Sequence, residues 1–238
     1  DGKLERQPVE IARAQGVPSY LMLLYLMKRK PELGLDDGLI AGIVAVLVRF
    51  FVRRNVTDTP PTRDLERLFI SICEGIEDER LEGVEVARYI KRRLVDVSAS
   101  DATFKERLEG PIYDVNPDMT RYILTVLAEP SVTKEMKGLW ERYPSGNYVW
   151  TIEHVFPQGE NIPASWVDMI GGGDKAKAQE IQATHVHTLG NLTITGYNSK
   201  LSNMPFVEKR DRKDSNGANV GYRNGLNLND DLVSVVSW

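Results

Sequence analysis

Apolar positions recur at three- and four-residue spacing through most of the first 145 residues. That is the period of a helix with one buried stripe. In "PSYLMLLYLMKRK" it puts Tyr20, Leu23, Leu24 and Met27 on one face, with Pro18 in the first turn and Pro31 as the stop. The most apolar run, Leu39 to Val52, is too short to span a bilayer and carries Arg49, so it predicts a buried core helix. "TRDLERLFISICEGI" offers Thr62 as a cap and repeats apolar side chains at Leu65, Leu68, Phe69 and Ile72. "EVARYIKRRLVDV" and "NPDMTRYILTVLAEP" continue the period, and Asn116 caps the second of these with Pro117 in its first position.

The texture changes after Gly146. "YVWTIEHVF" and "LGNLTIT" are rich in β-branched and aromatic residues and predict two short strands. Between them "DKAKAQEIQAT" reads as a helix entered through "GGGD". "SKLSNMPFVEKRDRK" reads as a further helix with basic residues at its far end. Of the breaks "TDTPPT" and "YPSGN", the second marks the domain boundary. The expectation is a mainly α chain with a small α+β part: a helical domain over 1–145 and a strand, insertion, strand, helix domain over 146–238. No internal repeat stands out.

Composition narrows the function. With 238 residues, 42% hydrophobic and 27% charged, the chain can bury a real core. A single cysteine, Cys73, excludes a disulfide framework and a cysteine-based zinc site, and fits a reducing cytoplasm. No basic-then-apolar signal segment opens the chain, and no membrane partner is expected. The net charge of −4 is no sign of nucleic-acid binding, so any such face must be a local basic patch. "KRR" at 91–93 and "KRDRK" at 209–213 are the two runs that qualify.

The chemistry concentrates in the last third, where all three histidines fall: His154, His185 and His187. In "TIEHVFPQ" Glu153 and His154 adjoin at the end of a predicted strand. Hydrolysis of a phosphodiester calls for a base to activate water, a group to hold that base, and a metal at the phosphate. His154 has the pKa class of the base, and Glu153 is an oxygen donor suited to a hard divalent ion. Neighbours on a strand point to opposite faces, so both serve one site only if the chain turns, and Pro157 supplies the turn. Asn191 can pin the loop holding His154 through its side-chain amide. Asn198 can be a second metal ligand.

At these residues the sequence resembles a known family. "EHVFPQ", "HTLGNLTITGYNSKLSN" and "PFVEK" are similar to the C-terminal HNH nuclease domain of GmrSD-type, modification-dependent restriction enzymes, the SspE-like phage-defence enzymes among them. The resemblance covers residues 148–209; the preceding segment shares only its helical character. It implies a ββα-metal fold, with His154 as general base, Asn191 as the central asparagine and Asn198 in the third position. Asn203 is a second candidate for that position, and Glu153 falls where the family carries a metal-binding residue. The family has a nucleotide-dependent N-terminal half. "GGGDKAK" lacks the ending of a phosphate-binding loop, and "DGKLERQPVE" reads as a connector, so the chain is expected to be the C-terminal part of a longer enzyme.

The expected function is therefore a metal-dependent DNA-nicking endonuclease of a restriction, anti-phage system, using Mg2+ or Mn2+ held by Glu153 and Asn198. Its expected partners are DNA, the N-terminal sensor half and a second copy of the chain. Lys200, Lys209, Arg210, Arg212 and Lys213 are the candidate phosphate contacts. His187 is read as structural. Two other classes fit the residues: a non-catalytic DNA-binding or assembly module with a decayed site, and an HNH-type RNA nuclease.

Overall fold

A computed structural model describes residues 9–134, 136 and 138–238, with the backbone alone at Lys200. Residues 1–8 of the expected connector lie outside the described residues. The chain forms two compact units, up to Arg107 and from Leu108.

The first unit is helical. A turn of helix over 9–13 leads to α1 (Tyr20–Lys28), α2 (Asp37–Thr57), α3 (Thr62–Asp78) and α4 (Val84–Asp96). The unit ends within α5 (Asp101–Glu109). The expected core helix is α2, and the Asp36 side chain caps it by accepting from the Leu39 amide at 2.7 Å. Phe50 and Phe51 of α2 meet Phe69 of α3, and Leu65, Leu68 and Ile72 are buried as their spacing predicts.

The helices depart from the expected pattern at two places. The buried face of α1 is Met22 and Leu26, while Leu24 and Met27 are exposed. Apolar residues surround that helix on all sides, so spacing alone does not choose its inner face. Thr62 is the first residue of α3 and not its cap: Pro61 precedes the helix, and the Thr62 hydroxyl accepts from Arg54 at 2.6 Å.

The second unit begins with α6 (Ile112–Val115) and α7 (Pro117–Ala128). Asn116 caps α7 through the Met119 amide at 2.9 Å, with Pro117 at the first position. Strand β1 (Thr151–His154) follows, then α8 (Ala164–Gly171), α9 (Lys175–His185) and strand β2 (Leu192–Thr195). The chain finishes with α10 (Asn198–Leu201), α11 (Phe206–Asp211) and α12 (Asp230–Ser234). Strands β1 and β2 are antiparallel, with Glu153 opposite Thr193 and His154 opposite Leu192.

The strands are covered on both sides. Leu192 and Ile194 pack with Leu124 and Ala128 of α7. Thr193, on the other face, donates to buried Asn229 at 2.6 Å. A second core gathers Val155, Phe156, Trp166, Phe206 and Tyr222. The compact division falls at residue 107, earlier than the change of texture near 145, because α7 supplies an apolar wall for β2. Chain composition records element type, and compactness records which elements bury one another.

The expected single helix "SKLSNMPFVEKRDRK" is two short ones, α10 and α11. Ser202 adopts a left-handed φ of 39° after α10, and Pro205, at φ −53° and ψ 150°, precedes α11. A proline's fixed φ and missing amide suit a helix start and not its middle.

Candidate active site

His154 closes β1, and the ladder carries one bond further, from the Val155 amide to the Asn191 carbonyl at 2.9 Å. The side chain of Asn191 completes the clamp. Its Oδ1 accepts from the Phe156 amide at 2.8 Å. Its Nδ2 donates to the carbonyls of Phe156 at 3.2 Å and Val186 at 2.9 Å. Asn191 is wholly buried, so these bonds satisfy groups that water cannot reach. Gln182 of α9 holds the next stretch, donating to the carbonyls of Pro157 at 2.8 Å and Gly159 at 3.0 Å.

A polar cleft of about 230 Å³ opens here. Glu153, His154, Asn198, Asn203 and Tyr113 are among its lining residues. Asn198 donates from Nδ2 to the Ile152 carbonyl at 2.6 Å, which ties the start of α10 to β1 and leaves its Oδ1 as an oxygen donor. Asn203 is exposed. Glu153, His154, Asn191 and Asn198 are thus neighbours in space, although Asn191 works through the backbone and does not line the cleft.

The electrostatics of the pair are governed by burial. His154 is 7% exposed; desolvation, then the charge that His187 carries in its protonated form and the charge of Lys209, push its imidazole down to about 4. The ring is therefore neutral at pH 7, with a lone pair on one nitrogen. Desolvation pushes the Glu153 carboxyl up to about 7, against the pull of Lys209. Lys209 lies 2.6 Å from Glu153 Oε1 and donates also to the carbonyls of His154 at 2.8 Å and Val155 at 3.0 Å. Three acceptors around one Nζ match the three donors of an ammonium. That geometry favours a charged Lys209 facing an ionised Glu153, whichever way burial pulls each group.

Lys209 was expected at the DNA surface, and that reading is corrected: the residue is 1% exposed. A basic run in sequence does not show that its first member lies on the inward face of α11. Gly221 keeps the lysine there, because a Cβ at Gly221 would collide with the Lys209 carbonyl where the chain crosses α11. The other members lie differently. Arg210 forks onto Asp211 at 2.9 and 2.6 Å and donates to the Val235 carbonyl at 2.6 Å. Arg212 is half-buried and Lys213 is exposed. Only the backbone of Lys200 is described.

Three residues of this region carried no functional role in the sequence. His187 Nδ1 lies 3.1 Å from His154 Nε2. Asp114 Oδ1 lies 3.4 Å from His187 Nε2. The Tyr113 ring stacks on His187 at 5.3 Å and meets the His154 ring edge-on at 4.8 Å. Tyr113 and Asp114 sit on α6, far back in the chain, and no local spacing announces them. The one available signal was the gathering of the histidines in a single window. His185, by contrast, is exposed.

Among the described residues, no three His, Cys, Asp or Glu side chains gather as a metal site. The cleft offers instead one carboxylate, from Glu153, and the amide oxygen of Asn198. No helix among the described residues is long and apolar enough to cross a membrane.

The second unit is thus a small α+β body with a neutral histidine at a strand end, a buried asparagine clamping its loop, and an oxygen-lined cleft beside it. Residues 98–238, more than half of the chain, match the family model for the C-terminal domain of GmrSD restriction endonucleases, and the chain belongs to that family. Searches of curated proteins and of solved structures gave no match.

Proposed function

We propose that this chain carries a metal-dependent, HNH-type endonuclease centre that nicks DNA, built on the ββα-metal plan from β1, β2 and α10. The observation that carries the reading is the Asn191 clamp. It binds the two backbone groups of Phe156 and sets the loop after His154 against β2, beside a cleft that also holds Glu153 and Asn198. A structural histidine would need no such cleft.

The donor set fits a hard divalent ion. Magnesium commonly takes one or two carboxylates together with water and substrate phosphate, and makes little use of sulfur or a full protein cage. Glu153 and Asn198 would hold Mg2+ or Mn2+, whose charge lowers the cost of the phosphorane-like transition state. His154, neutral at pH 7, accepts the proton of the attacking water. Asn191 keeps its loop in register. Lys209 fixes the Glu153 carboxylate and the carbonyls that follow it. The expected products carry 5′-phosphate and 3′-hydroxyl, and one centre cuts one strand.

DNA is the proposed substrate because the family is one of restriction endonucleases. Arg212 and Lys213 remain candidates for phosphate contact, together with Lys200 and Arg210. Sensing of a modification is assigned to a nucleotide-dependent N-terminal half, and pairing of two chains would convert nicks to double-strand breaks. The reading is tested with supercoiled plasmid, in Mg2+ or Mn2+ and in EDTA. Wild type should nick with metal only, and His154→Ala should lose at least about 10²-fold while staying folded. Equal nicking by both proteins, at matched circular dichroism, refutes it.

A further inference from the structure

The reaction proposed above leaves one question open: which nitrogen of His154 carries its proton. A neutral imidazole has one donor and one acceptor nitrogen. Nε2 faces His187 Nδ1 at 3.1 Å. Two arrangements satisfy that contact. Either His154 donates from Nε2, leaving a lone pair at Nδ1, or His187 donates and His154 carries its proton at Nδ1. Only the first leaves a base for the cleft.

The neighbours of His187 choose between them. Asp114 Oδ1 lies 3.4 Å from its Nε2. A carboxylate there favours a proton on Nε2, so a neutral His187 presents Nδ1 as acceptor. Tyr113 packs against both rings. Its ring stacks on His187 at 15° between planes and meets His154 at 85°, and its amide donates to the His187 carbonyl at 3.2 Å.

We propose that His187 and Asp114 are positioning residues of this centre, which lock His154 in the Nε2–H tautomer and so present the Nδ1 lone pair to the cleft. The inference rests on the nuclease reading for its purpose, but not for its geometry. In the reaction the water oxygen bonds to phosphorus, and the 3′ oxygen leaves with the bonding pair and takes up a proton from solvent. The water's proton comes to rest on His154 Nδ1, and none passes through His187. The imidazolium so formed keeps its Nε2–H bond to His187, with Asp114 as the nearby countercharge.

The experiment has two arms on the full 238-residue chain. Histidine ring 15N shifts of the metal-free protein, above the titration range, report the tautomer directly. The expected result is Nε2–H for His154 in wild type and loss of that preference in His187→Phe, which retains a ring against Tyr113. In the plasmid assay His187→Phe should lower kcat by about 10- to 100-fold with little change in KM, since an orienting partner acts on the base and not on DNA binding. His187→Asn, whose Oδ1 can accept where Nδ1 did, should recover most of the rate. Asp114→Asn should lose less, because Asp114 is largely exposed. An Nδ1–H tautomer in wild type overturns the proposal at any activity, and so does wild-type kcat in His187→Phe. A wild type that shows the Nε2–H tautomer but never cleaves overturns the nuclease reading, and leaves the tautomer lock standing.

Discussion

Lys209 and Glu153 form an ion pair that solvent hardly reaches, at 1% and 3% side-chain exposure. Removing one partner of such a pair strands the other, at a cost of about 3–5 kcal/mol, whereas removing both costs far less. Lys209→Met should therefore destabilise strongly, and Lys209→Met with Glu153→Gln should recover a large part of the loss. Urea denaturation of wild type, both single variants and the double variant decides it; additive losses would show that the pair is not coupled. His154 makes a second prediction at this scale. Its folded value of about 4 lies below the ordinary 6.5, so between those values the unfolded chain binds the extra proton. The stability that the neutral ring contributes is complete above pH 6.5 and is lost as pH falls through 4. Its size is on the order of 3 kcal/mol. Comparing metal-free wild type with His154→Gln cancels the opposing titration of Glu153. The advantage of wild type should shrink over that window, and a flat difference curve contradicts the assignment.

At the level of elements, the site depends on how β2 is joined to the chain after β1. Asn191 makes three bonds to backbone in the interior, and its loss leaves those groups without partners. Each buried unsatisfied group costs about 1–3 kcal/mol. Asn191→Ala should lower Tm clearly and reduce the cleavage rate more than manganese affinity. Titration of Mn2+ into the variant, beside its single-turnover rate, tests the role. Complete loss of binding would make Asn191 a ligand and not a clamp. Gly221 belongs to the same scale. Its closeness to the Lys209 carbonyl means that Gly221→Ala must push α11 outward, and with it the lysine that holds Glu153.

For the whole molecule, the division of labour follows from charge. The chain is acidic overall, and the buried position of Lys209 takes one cation out of the basic run at 209–213. DNA binding by this chain alone should be weak, governed by phosphates and steeply salt-dependent. Modified and unmodified plasmids should be nicked at similar rates, with discrimination left to the N-terminal half proposed above. Lys213→Glu should weaken binding to both alike. Parallel nicking at two salt concentrations measures this, and a strong preference for one plasmid would place recognition within these 238 residues.

Local pattern by itself determined α1 to α4, α7, α9, both strands, the Asn116 cap and the side-chain bond from Asn191 to the loop after His154. Periodicity, turn chemistry and capping act over a few residues, so one stretch of chain contains the whole cause. The inner face of α1 was not legible, because an apolar residue on every side leaves the choice to its neighbours. Nor was the reach of the second unit: α7 belongs with the strands because it buries Leu192 and Ile194. The burial of Lys209 and the approach of Asp114 and His187 to His154 were equally hidden. These depend on contacts between segments distant along the chain. An ammonium in a basic run has the same local sequence on either face of a helix, and only the packing of α11 against β1 and Gly221 decides which face is inside.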